Sequence, residues 1–210
     1  MKNTFGKFFL LCVLFIFASE LLKNVLQFNQ LLYNSLSEKL TSEQLSSYFE
    51  IQSNWRWIEY IFIPIYILLK TSIIATILYI SAYFFSKKNI VFNSLWTIVI
   101  EAEFIFLLVP IFKIFWFYFI ETKYKLEDFQ YFFPLSALNI IGYKGLEVWF
   151  IYPFQTLNLF ELAYIIYIAN QLGKLTETNT DHGLKIIGYS YIPTLLLWVA
   201  LIMFITLNIS

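Results

Sequence analysis

Ile58–Phe85, IEYIFIPIYILLKTSIIATILYISAYFF, and Ile90–Ile120, IVFNSLWTIVIEAEFIFLLVPIFKIFWFYFI, are two apolar runs separated only by Ser86-Lys87-Lys88-Asn89. Each run exceeds the ~18 apolar residues that mark a spanning helix, because the hydrocarbon core is about 30 Å thick and a helix rises about 1.5 Å per residue. Two such runs on a four-residue turn predict a membrane hairpin. Pro64 lies inside the first and Pro110 inside the second. Proline removes a helical hydrogen bond, so both helices are expected to bend and to pack within a bundle.

The rest of the chain agrees with this class. Of 210 residues, 60% are hydrophobic and 13% are charged, with a mean hydropathy of +0.69. Soluble domains carry about 25% charged residues, so lipid must solvate most of this one. A net charge of zero leaves no broad basic surface for nucleic acid. The lone Cys12 forbids an intrachain disulfide, and one histidine, His182, without a thiol partner argues against a zinc centre. No cofactor is implied.

Working outward, Lys2 and Lys7 followed by the apolar run Phe8–Ala18 have the form of a secretory signal. Phe17 and Ser19 before Glu20 make a poor cleavage site, so an uncleaved first span over 5–22 is expected. The polar stretch 27–57 is expected outside. In it, Thr41-x-x-Gln44 has the pattern of a capping box ahead of Leu45, Tyr48 and Phe49, which predicts one or two amphipathic helices on the membrane surface. Trp55 and Trp57 fall where an aromatic belt belongs. After the hairpin, 129–141 is apolar but too short to span and is interrupted by Pro134, which suits a re-entrant or interfacial segment. A fourth span over 150–172, closed by Gly173, and a fifth over 184–207 complete the count. The expected fold is an all-α, polytopic bundle of five transmembrane helices (5–22, 58–85, 90–120, 150–172 and 184–207) in a single membrane domain.

Lysines and arginines near the span ends set orientation. With the N-terminus inside, six fall on each side: Lys2, Lys7, Lys87, Lys88, Lys174 and Lys185 against Lys23, Lys39, Arg56, Lys123, Lys125 and Lys144. The first six crowd into short segments, which carry the weight of the positive-inside rule. The N-terminus is expected inside and the C-terminus outside. Helical spans favour an inner over an outer bacterial membrane.

Lys70, Glu101, Glu103, Lys113, Asn158 and Glu161 lie within the predicted spans. A charge at mid-bilayer costs ~2.5 kcal/mol or more, so each should face the bundle and find a partner. Lys70 and Glu161 match best in depth. Counted from the turn, Glu103 is also within reach of Lys70, whereas Glu101 points to a different side. These residues either fix helix packing as buried ion pairs or line a polar pathway. Three acids against one central lysine leave a surplus that Lys113 or protonation could absorb.

Catalytic patterns are missing. There is no Gly-x-Ser with a membrane histidine, no His-Glu-x-x-His, and Glu101-Ala-Glu103 is not an adjacent diglutamate. Gly142-x-x-Gly145 has no strand–helix frame for phosphate. The expectation is a non-enzymatic protein.

The run Leu157-Asn158-Leu159-Phe160-Glu161-Leu162, the segment Asn170–Thr176 and the last helix after Gly183-Leu184-Lys185 resemble the C-terminal half of bacterial Yip1-domain proteins. The resemblance implies five spans, a cytoplasmic N-terminus and an exported C-terminus, and it carries no catalytic residues. Eukaryotic members of that family act in membrane trafficking with small GTPases. The long polar segment 27–57 departs from the compact family pattern. Two functions are therefore expected: a scaffold or accessory subunit, working with lipid and with other membrane proteins or copies of itself, or a small transporter or ion-conducting protein using the intramembrane lysine and glutamates.

Overall fold

The structure is a computed structural model describing residues 3–85 and 90–209. The expected turn Ser86–Asn89, with Lys87 and Lys88, and Lys2 lie outside the described residues. Among the described residues the fold is all helix. The one β-like feature is an isolated antiparallel bridge between Ser136 and Asn158.

Among the described residues, three helical runs are long and apolar enough to cross a membrane: α1 (Thr4–Val25), α4 (Trp57–Phe85) and the kinked run Thr180–Ile209. Between α1 and α4 stand α2 (Phe28–Ser37) and α3 (Ser42–Trp55). The Thr41 hydroxyl accepts from the Gln44 amide, and the Gln44 side chain accepts from the Thr41 amide. This reciprocal box starts α3 where the sequence places it.

The second hairpin arm is one continuous helical run that changes pitch. α5 (Phe92–Glu103) tightens to a 3₁₀ turn at Phe104–Leu107, relaxes into α6 (Leu108–Phe115) and widens to a π turn at Trp116–Ile120. The first tightening begins directly after Glu103. Short helices follow: α7 (Leu126–Tyr131) and α8 (Ala137–Ile141). Leu26, Phe117 and Phe129 bury one another there, with Trp116, Tyr124 and Phe132 around them.

The last two expected spans are both interrupted. The segment 150–172 divides into α9 (Val148–Thr156) and α10 (Leu159–Leu175). Asn158 adopts an extended conformation, and its side chain accepts the Glu161 amide at 2.8 Å, so α10 has a fresh N-terminus. The freed backbone is re-paired. Ala137 N donates to Leu157 O at 2.8 Å and Leu159 N to Leu135 O at 3.1 Å. That is how a broken helix survives in an apolar setting. The segment 184–207 divides at Ser190 into α11 (Thr180–Tyr189) and α12 (Tyr191–Ile209). Pro193 cannot donate to the carbonyl four residues back, which loosens the joint. Ser190 and Thr194 hydroxyls bond to the carbonyls of Ile186 and Ser190.

Gly173 does not end its helix as expected. α10 runs on to Leu175, and the left-handed residue is Glu177 (φ 56°). A Cβ on Gly173 would come within 2.5 Å of the Asn179 carbonyl oxygen, so glycine serves the close return of the chain into α11. Gly183 serves the same pairing, since its Cβ would stand 2.0 Å from the Ala169 carbonyl oxygen. The main core forms where α1, α4, α5, α10 and α11 meet. Leu11, Leu78, Leu95, Val99, Ile168 and Ile186 are among its fully buried members.

Candidate functional site

Lys70, Glu103 and Glu161 gather beside this core. Lys70 on α4 places Nζ 2.9 Å from Oε2 of Glu103 on α5. The ammonium also lies 4.4 Å from the centre of the Phe106 ring and 5.7 Å from that of Tyr164. An aromatic face attracts a cation, and does so most strongly where water is excluded. Glu103 is 2% exposed. Its Oε1 and the Tyr164 hydroxyl are buried and make no hydrogen bond of ordinary geometry, although the two residues lie within interaction distance of each other. Such groups are costly to leave unsatisfied.

Glu161 does not bond to Lys70, contrary to the expected best-matched pair. It remains within electrostatic reach of Lys70 and Glu103, while its Oε1 accepts a 2.6 Å hydrogen bond from the Tyr191 hydroxyl. The difference comes from the break at Asn158. Depth matching assumed an unbroken helix over 150–172, whereas Glu161 sits in the first turn of α10. Asn158 acts as the cap of that turn. Glu101 points away from Glu103, as two-residue spacing on a helix requires. It forms an ion pair with Lys7 of α1 and accepts from Tyr167 of α10 at 2.9 Å. Lys113 has no described carboxylate within 4 Å, so it does not absorb the surplus acid. Its Nζ lies 4.1 Å from the centre of the Phe129 ring.

Sequence reasoning missed Lys7, Phe106, Tyr164, Tyr167 and Tyr191 as partners. It also missed a second cluster at the far end of α1, where Lys23 pairs with Glu59 and Arg56 approaches Glu20 at 2.5 Å. Asn158-x-x-Glu161 was a legible helix-start signal within an apolar run. The tyrosines carried no comparable signal among the 15 in the chain.

Next to this cluster is a cavity of about 1030 Å³ between α6, α8, α9, α10 and α12. Phe112, Trp116, Pro134, Ile165 and Leu195 typify its wall, and Glu161 is its one charged residue among those described. The interruptions after Glu103, at Leu157–Asn158 and at Ser190 all adjoin residues of the cluster. Among the described residues no group of three or more His, Cys, Asp or Glu side chains could hold a metal ion. No family model, curated protein or solved structure matches the chain.

Proposed function

We propose that this is a five-span integral membrane protein acting without catalysis as a scaffold or accessory subunit of a membrane assembly, in line with its resemblance to Yip1-domain proteins. The spans are α1, α4, the run 92–120, the pair α9–α10 and the pair α11–α12. The N-terminus faces the cytoplasm and the C-terminus lies outside a bacterial inner membrane. The observation that carries this reading is cross-helix charge matching: Lys7 with Glu101 and Lys70 with Glu103. Each pair joins two helices, and the adjoining cavity is apolar rather than a polar path. Ion pairs between helices, here with only Glu103 fully buried, can set which packing is adopted even where they add little stability.

A thermodynamic cycle on Lys70→Met and Glu103→Met tests the pair. Lys70→Met strands the buried Glu103 and should cost about 3 kcal/mol in detergent, and Glu103→Met, which strands the part-exposed Lys70, should cost less. The double change should recover most of that loss. Additive losses would show that the two side chains are not a packing pair. Purification of the tagged protein from native membranes should bring a stoichiometric companion, identified by mass spectrometry. A lone protein or a homo-oligomer would sink the accessory role.

The transporter reading rests on a different observation. Three helices lose regular geometry beside the same charged cluster, and discontinuous helices meeting at one depth are how many transporters build a binding site. Glu161→Gln separates the two readings. Proteoliposome flux that disappears in this variant, with folding intact, would favour transport.

A further inference from the structure

We infer that the cavity beside Glu161 binds a long-chain lipid whose head is an ammonium carrying no anionic group. This rests on the proposed membrane setting but not on the accessory role. The volume, about 1030 Å³, is at the upper end of small-molecule sites. Its wall is built from side chains that favour a hydrocarbon chain, such as Phe112, Ile165 and Leu195. Ile140 (89% exposed) and Leu196 (63% exposed) form part of its rim and leave it open sideways, toward lipid in the proposed setting.

The head group follows from charge. Glu161 is the one charged side chain lining the cavity among the described residues. The Tyr191 hydroxyl donates to Oε1, no hydrogen bond to Oε2 is made among the described residues, and Lys70 and Glu103, both within electrostatic reach, offset each other and leave the Glu161 charge over. An acceptor left open in an apolar chamber calls for a donor, and a cation there would satisfy both charges at once. A phosphate or carboxylate head would meet Glu161 with no lysine or arginine in the wall to offset it. Glu161 also stands in the first turn of α10, where the helix dipole favours a negative side chain.

The test uses the full chain in phosphatidylcholine nanodiscs with a diazirine-bearing hexadecylamine as photoprobe. Labelled peptides should come from 132–140 and 157–165. Unlabelled hexadecylamine should compete, and hexadecanol and palmitate should compete at least about tenfold more weakly. Glu161→Gln should abolish that preference for the amine. Ile165→Trp, which fills the chamber while keeping the acid, should block labelling, and Tyr191→Phe, which leaves Oε2 in place, should retain it. Equal competition by hexadecanol or palmitate would overturn the ammonium assignment. Labelling elsewhere, or labelling indifferent to both Glu161→Gln and Ile165→Trp, would show a groove filled only by ordinary acyl chains. If Glu161→Gln does not fold, the competition series and Ile165→Trp still decide the matter. A companion protein found without labelling would end this inference and leave the accessory role standing; labelling without a companion would do the reverse.

Discussion

At the level of single residues, contrast in surroundings explains more than residue type. Asp128 lies outside the proposed spans and accepts from the Tyr143 hydroxyl at 2.5 Å and from the Lys125 amide at 2.8 Å. Partial burial works against its charged form, but those two hydrogen bonds and the nearby Lys144 and Lys125 outweigh it and hold the carboxyl below its usual value. The same bond, with burial, raises Tyr143 above the ordinary phenol range, so the phenol keeps its proton. A depressed carboxyl stabilises the fold above its unfolded pKa of about 3.9, and that contribution disappears as pH falls through the folded value. Tyr143→Phe should therefore raise the Asp128 pKa and lower stability near neutrality. The difference from the parent should vanish at strongly acidic pH. Carboxyl-carbon NMR titration and melting at several pH values would check both, and an unchanged Asp128 titration would contradict this account. Long-range partners of this type were not legible beforehand. That Glu101 and Glu103 face apart follows from helix geometry, but which side chains await them depends on helices far away in sequence.

At the level of elements, what could be read was local and what could not was conditional. The capping box at Thr41 and the short amphipathic helices after Gln27 follow from neighbouring residues alone. The break at Ser190 sits beside Pro193 and bonds locally, but the break at Asn158 needs help from outside. Leu157 and Leu159 surrender helical bonds because Leu135 and Ala137 offer replacements, and hydropathy contains no term for that. Gly173 was misread for a similar reason: glycine ends many helices, but here it admits a neighbouring backbone. The α10–α11 pair can be tested directly. Gly183→Ala drives a methyl into the Ala169 carbonyl and should destabilise the protein by about 1–3 kcal/mol. Gly188→Ala meets nothing within 4 Å on the same helix and should be neutral or stabilising by up to about 1 kcal/mol. Thermal melts of the two variants side by side check the prediction. Equal effects would mean that α10 and α11 do not pack this closely.

For the whole molecule, the proposed five spans make a topological prediction. In a Cys12→Ala background, Lys39→Cys and Lys144→Cys should react with a membrane-impermeant maleimide in right-side-out vesicles. Lys174→Cys should react only after permeabilisation. All three positions are exposed, so protection reports sidedness rather than burial. Labelling of all three from outside would rule out the N-inside, five-span arrangement. An all-helical fold with runs long and apolar enough to cross a membrane was legible from composition and run length. The route of the chain through the last sixty or so residues was not, because a run long enough to span and a run that is one straight helix are different things.

The contact between Lys7 and Glu101 also has a history. The two are 94 positions apart, so at ribosomal speeds of 5–20 residues per second Lys7 emerges on the order of 5–20 s before its counterpart. During that interval α1 holds a cation whose proper neighbour does not yet exist. In the proposed membrane setting Lys7 must keep its charge near water or lipid headgroups, and α1 must stay nearby, until α5 arrives. Assembly is then less a matter of adding helices one after another than of joining a late helix to one made long before it.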